Sequence, residues 1–306
     1  MSQKLVLITG VSQGIGNALM RNLLAKSSYK IIGTVRNASD KEKVMQSLVS
    51  DRTKSNLDER VTLVNINFLK ELQNKQEAND WIKSISADAS KHFQNTFTAP
   101  NILINNAGIM LKNDENFKNM STVQLVRDTL KVNFFTPFYL SESLLDISSS
   151  SAHSPTILNL GARVCKLSTN NYLKSIPEIG ETLKDKVFTP EKSQLTSEDL
   201  YHLLTQSVMK NPDYMSTERI SKIPAALPDA PYLVSKVFLH ALTKIEGTTR
   251  QNAQVNAVDP GWVNTRLTSF KAPLTPDKAA QNILQLLDTP LQNGQLYGDG
   301  KLITYV

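Results

Sequence analysis

Apolar residues in the first hundred positions come in short unbroken runs separated by helical patterns. Leu5–Thr9, Lys30–Val35, Val61–Ile66 and Asn101–Asn105 read as strands. They lack the apolar–polar alternation of a half-exposed sheet, which predicts a parallel sheet covered on both faces. Ile15–Ala25 carries apolar residues at Ile15, Leu19, Leu23 and Leu24, and Glu71–His92 is the longest helical pattern between strands. Val123–Leu145 predicts a long helix with Pro137 as a possible kink. Thr156–Leu160 and Gln254–Val258 continue the strands, and Pro231–Arg250 and Pro276–Leu287 the helices. The pattern predicts an α/β fold, a doubly wound parallel sheet with helices on both faces.

Residues 166–229 break this rhythm. The stretch is proline-containing and has one clear helical pattern, Thr196–Lys210, with Thr196 or Ser197 as cap and Leu200, Leu203, Leu204 and Val208 as its apolar stripe. ISSSSAHSP, 147–155, reads as a surface loop. The expectation is a single domain over 1–306 with a helical insertion at about 166–229.

Composition narrows the function classes. The chain has 306 residues, long enough to bury roughly three quarters of its unfolded surface. Its single cysteine, Cys165, allows no internal disulfide, and no spacing suits a metal. The net charge of +6 is scattered without a run of five like charges, which argues against nucleic-acid and membrane partners. The start, MSQKLVLITG, is too short in its apolar run for a signal peptide, and no run is as long as a membrane span. A cytoplasmic location is the expectation.

Candidate chemistry begins after the first strand, at TGVSQGIG. Gly10 allows the tight turn, Gly14 lets backbone approach a phosphate, and Gly16 lets the helix pack on the strand. The helix start then offers free N–H groups to an anion. NNAG at 105–108, YLVSK at 232–236 and PGWVNT at 260–265 follow in order. With these four motifs the sequence resembles the short-chain dehydrogenase/reductase family over nearly its whole length. The insertion before the tyrosine and the tryptophan of PGWV resemble the monomeric carbonyl reductases.

The resemblance implies a Rossmann-type fold in which the glycine loop (Gly10, Ser12, Gln13, Gly14, Ile15, Gly16) cradles a cofactor pyrophosphate. Asn106, Ala107 and Gly108 would border its adenine ribose. Asn105 suits a strand-locking role at least as well as a ligand contact. Asn65 stands where the family usually has an aspartate for the adenine amino group. Pro260, Gly261, Val263 and Thr265 would flank the nicotinamide. At the end of the second strand, Val35 replaces an acid and Arg36 follows, able to fork onto a 2′-phosphate, so NADP(H) is favoured over NAD(H). Gln13 is not the second basic residue that NADP-preferring relatives often carry.

Tyr232 and Lys236 lie one helical turn apart. Carbonyl reduction needs a proton donor at oxygen as hydride reaches carbon. An ammonium beside a phenol favours phenolate and brings that proton within reach. The resemblance gives Lys236 the nicotinamide ribose as well, and Asn133 of KVNFF a proton relay to the lysine. None of the four histidines belongs to a motif.

One family residue is missing. Asn159-Leu160 is followed by Gly161-Ala162, where the family has two hydroxylic residues, the second of them catalytic. Thr156, Cys165 and Ser168 are misplaced to substitute, and Arg163 is a candidate oxyanion donor. Loss of such a donor costs about 10²–10³ in rate, which slows a reductase without abolishing it. The leading reading is an NADPH-dependent reductase of a small-molecule ketone, aldehyde or quinone. The alternative is a catalytically impaired NADP(H)-binding sensor or scaffold. By resemblance the insertion covers the surface that others use to associate, which implies a monomer.

Overall fold

The computed structural model describes residues 3–49, 57–110, 120–149, 154–166, 177–209 and 230–305. Eight strands form one sheet in the order β3-β2-β1-β4-β5-β6-β7-β8. They are β1 (Lys4–Ile8), β2 (Tyr29–Val35), β3 (Val61–Asn65), β4 (Ile102–Asn105), β5 (Thr156–Leu160), β6 (Gln254–Asp259), β7 (Leu296–Gly298) and β8 (Lys301–Ile303). β1 to β7 run parallel, and β8 returns antiparallel on β7. The helices are α1 (Gly14–Leu24), α2 (Ala38–Val49), α3 (Lys75–His92), α4 (Thr122–Leu130), α5 (Thr136–Ser149), α6 (Pro177–Leu183), α7 (Ser197–Leu204), α8 (Ala230–Thr249) and α9 (Pro276–Gln285).

The unbroken apolar runs have the reason expected of them. Leu5, Leu7, Ile32, Leu103, Ile157 and Val255 enter one core with α3, α5 and α8. The alternate residues Val6, Ile8, Ile31, Ile104, Leu158 and Val258 enter the other with α1, α2 and α9. Each strand is therefore apolar on both faces. The strand order reverses between β1 and β4, and the crevice there, beyond the carboxyl ends of the strands, is where open α/β sheets bind ligands.

Four local results differ from the sequence reading. α3 begins at Lys75, not Glu71, because the Asn74 side chain accepts from the Glu77 N–H and caps it there. The predicted long helix contains a π turn at Lys131–Phe135, separated from Pro137 by Thr136. The insertion holds a second helix, α6, which continues as a π turn over Lys184–Phe188. The β7–β8 hairpin was not foreseen. Its two-residue turn, Asp299-Gly300, has positive φ at both positions (51° and 72°), as the favoured hairpin turn requires.

α7 has the predicted cap. Thr196 accepts from the Asp199 N–H, and Asp199 reaches back to the Thr196 N–H, a reciprocal pair worth about 1 kcal/mol. Leu200 and Leu204 are buried, and the Tyr201 ring lies 5.4 Å from both Phe135 and Phe138. The insertion is thereby fastened to the helices of the site, and Ala230 to Gly247 of α8 are all buried. Ser168, Lys210 and the side chain of Val208 lie outside the described residues.

Candidate active site

Three segments converge at the β1/β4 crevice. A Cβ on Gly10 would lie 3.0 Å from the Ala107 Cα, which brings NNAG against the glycine loop. A Cβ on Gly14 would lie 3.2 Å from the Thr265 Cγ2, which brings PGWVNT over it. Gly10 and Gly14 both have positive φ (71° and 61°). Gly16 packs tighter still, since a Cβ there would meet the Gly10 carbonyl oxygen at 2.2 Å. At the start of α1, Gln13 provides no side-chain cap and the first turn carries no acid. That donor set fits an anionic cofactor diphosphate.

Other residues of this region play different parts. Asn106 is a loop lock: its Nδ2 donates to the carbonyls of Thr9 and Gly10, both at 2.8 Å. Asn105 is buried and donates to Asn159 Oδ1 at 2.8 Å, the strand-locking role. Arg36 and Asn65 stand exposed at the ends of β2 and β3, on paired strands. Ser12 Oγ donates to Asp40 at 3.4 Å, and Asn37 Nδ2 donates to the same carboxylate at 3.3 Å. No sequence motif announces Asp40, an acid placed beside the glycine loop and four residues from Arg36. Gly261 has φ 83°, Val263 is buried, and Pro260 and Thr265 are half-buried.

Tyr232, Lys236 and Asn133 come together on the same side. Lys236 Nζ is buried and donates to the Leu160 carbonyl at 2.6 Å, 5.8 Å from the centroid of the Tyr232 ring. Burial pushes its ammonium down to about 8. Asn133 donates to the Ile109 carbonyl at 2.9 Å and accepts from the Ile109 N–H at 2.8 Å. It also donates to Ser235 Oγ, which donates to the Tyr232 carbonyl. Gly108 lies between Asn133 and Lys236: a Cβ on it would be 3.5 Å from Asn133 Oδ1 and 3.8 Å from Lys236 Nζ. The π turn explains the asparagine's setting. Thr136 N–H donates to the Lys131 carbonyl, and Pro137 has no N–H to give the Asn133 carbonyl its α-helical partner.

The end of β5 differs from expectation. Ala162 is 8% exposed, and its N–H donates to His240 Nε2 at 3.2 Å. His240 was read from sequence as an ordinary histidine; it lies one turn beyond Lys236. Burial, then the neighbouring ammonium, pushes its imidazole down to about 3. Arg163 is not an unpaired cation awaiting an oxyanion, because its guanidinium is paired with Asp259 and with Asp299 at 2.7 Å. Cys165 is wholly buried, with its thiol pushed up to about 12 by desolvation, so it presents no donor to a substrate in place of the missing hydroxyl.

Residues 4–172 match the family model of the short chain dehydrogenases. The chain belongs to the short-chain dehydrogenase family. Carbonyl reductase (NADPH) 3 of Mus musculus is 25% identical over 312 residues, covering 99% of this chain and 98% of that one. Carbonyl reductase (NADPH) 1 of the same organism is also 25% identical, covering 98% of each. Among solved short-chain dehydrogenase folds, salutaridine reductase from Papaver somniferum superposes with a TM-score of 0.72 at 20% identity, covering 96% of this chain and 99% of that one. An NADPH-bound carbonyl reductase from chicken fatty liver gives 0.61 at 19% identity, covering 99% and 95%. The chain is thus an oxidoreductase of this family, similar to carbonyl reductases. Among the described residues no helix is long and apolar enough to cross a membrane.

Proposed function

We propose that the protein is an NADPH-dependent carbonyl reductase that converts a small ketone, aldehyde or quinone to its alcohol without the family's serine. The observation that carries this reading is the grouping of Tyr232, Lys236 and Asn133 beside the glycine cradle. Gly10, Ser12, Gln13, Gly14, Ile15 and Gly16 would hold the diphosphate and Arg36 the 2′-phosphate. Asn65, Ala107 and Gly108 would line the adenosine end, with Asn106 shaping the loop. Pro260, Gly261, Val263 and Thr265 would border the nicotinamide, which when bound supplies the hydride.

Tyr232 gives its phenolic proton to the substrate oxygen. Lys236 stabilises the phenolate left behind, since its ammonium lies within 5.8 Å of the ring. Asn133 holds the 109 backbone and, across Gly108 from Lys236, would help set the route by which the lysine regains protons. Ala162 supplies no hydroxyl, so one stabilising bond to the substrate oxygen is absent. The cover of α7 over α8 supports a monomer, and the scattered charge supports a cytoplasmic protein acting on small molecules. The deciding experiment is NADPH oxidation against a panel of quinones, aldehydes and ketones, with Tyr232→Phe as control. Turnover that the control loses supports the reading. Cofactor binding with no turnover on any substrate favours a second one, for which Ala162 speaks: an NADP(H)-binding sensor or scaffold.

A further inference from the structure

Gly161 and His240 are fitted to each other. A Cβ on Gly161 would lie 2.3 Å from His240 Nε2 and 2.9 Å from Cδ2, so only glycine admits the ring. The ring is 1% exposed, and behind it Tyr305 lies 5.7 Å away, itself stacked on Phe188 of the insertion at 4.9 Å. Nε2 accepts from the Ala162 N–H, so the ring is neutral with its proton on Nδ1. Along one face of α8, Tyr232, Lys236 and His240 follow at single-turn spacing. The last two reach successive points at the end of β5, the Leu160 carbonyl and the Ala162 N–H.

We propose that His240 is a positioning residue of the active site: wedged between Gly161 and Tyr305, it holds residues 160–162 against α8 and so fixes Lys236 beside Tyr232. The Gly161 N–H ties the strand end to the Val258 carbonyl of β6 at 2.8 Å, and two hydrogen bonds from one helix face clamp it to α8. The clamp stands at the segment where the hydroxyl is missing, so the geometry of Tyr232 and Lys236 carries more of the chemistry. Without the imidazole acceptor the Ala162 N–H is left buried and unpaired, which favours movement of the strand end. The Leu160 carbonyl then releases the ammonium from its place beside the phenol.

The test compares wild type with His240→Leu, which removes the acceptor, His240→Gln, whose Oε1 can replace Nε2, and Gly161→Ala, which pushes the ring away. Each is made with and without Tyr232→Phe, so that ultraviolet difference titration isolates the Tyr232 phenol. The titration needs no turnover; a kcat measurement beside it rests on the carbonyl-reductase reading. We expect His240→Leu and Gly161→Ala to raise the Tyr232 pKa by about one unit and cut kcat about tenfold. NADPH affinity should stay within about twofold, and His240→Gln should behave as wild type. An unmoved Tyr232 pKa in His240→Leu overturns the proposal. So does a His240→Gln that falls as far as His240→Leu, which would make the ring mere filling. If His240→Leu does not fold, Gly161→Ala decides. A wild type without turnover sinks the carbonyl-reductase reading and leaves the titration to decide this one.

Discussion

Lys236 Nζ donates to the Leu160 carbonyl at 2.6 Å, which joins the helix that handles the proton to the end of the central strand β5. The ammonium is desolvated there, and its pKa falls to about 8. Its useful state is the protonated one, which stabilises a phenolate. Reductase activity should therefore fall as pH rises through about 8, approaching tenfold per unit beyond it. A profile of kcat/KM against pH checks this, and an activity flat to about pH 9.5 would contradict it.

Ala162→Ser should speed the reaction. The backbone at 162 is already held by His240, so a new hydroxyl would arrive on a fixed strand end. One added oxyanion donor is worth up to about 10²–10³ in kcat, and a gain of at least about tenfold is expected. Steady-state kinetics on the best substrate of the panel would show it. No gain would mean that the hydroxyl points away from the reacting carbonyl.

Asp40 should weaken the preference for NADPH. Its carboxylate accepts from Ser12 and Asn37 at the adenosine end, where a 2′-phosphate would meet a like charge. Two like unit charges about 8 Å apart repel by about 0.5 kcal/mol in water and roughly 2 kcal/mol at an effective dielectric of 20. Asp40→Asn should improve NADPH over NADH affinity by between about twofold and thirtyfold. Fluorescence titration with both cofactors measures the ratio directly; an unchanged ratio refutes the assignment.

Glu246 makes stability fall as pH rises above the ordinary carboxylate range. It is fully buried on α8, neither carboxyl oxygen has a hydrogen-bond partner among the described residues, and Glu142 lies near. Burial, then the Glu142 charge, raises its pKa well above the carboxylate range. The folded state thus keeps a proton that the unfolded chain releases near its ordinary pKa of about 4.3. Stability from this group is present below that value and is lost as pH rises toward the folded-state pKa. Glu246→Gln should raise the urea midpoint at neutral pH, and the gain over wild type should grow from about pH 5 to pH 7. Equal midpoints across that range would mean the carboxyl finds a partner.

Much of this was legible in the chain because the relevant signals are local. Leu5 to Ile8 had to be buried on both faces, and it is. Thr196 with Asp199 is a contiguous cap, and Tyr232 with Lys236 needs only one turn of helix. What escaped depends on contacts distant in sequence or on elements too short to show a period. β7 and β8 have three residues each, so no alternation could announce them, although Asp299-Gly300 is a hairpin turn signal that the sequence did carry. His240 is 78 positions from the Ala162 amide it holds. Arg163 read as an available cation because Asp259 and Asp299 lie far along the chain.

The π turn at Lys131–Phe135 has a consequence for how this chain tolerates change. A five-residue turn holds one residue more than the α ladder around it, and a residue is about 100° of helical rotation. Deleting one residue there would satisfy the helix better while turning Asn133 out of register with Ile109 and Ser235. Length at this point is thus as much a part of the site as any side chain, and a gap that an alignment would treat as harmless would undo it.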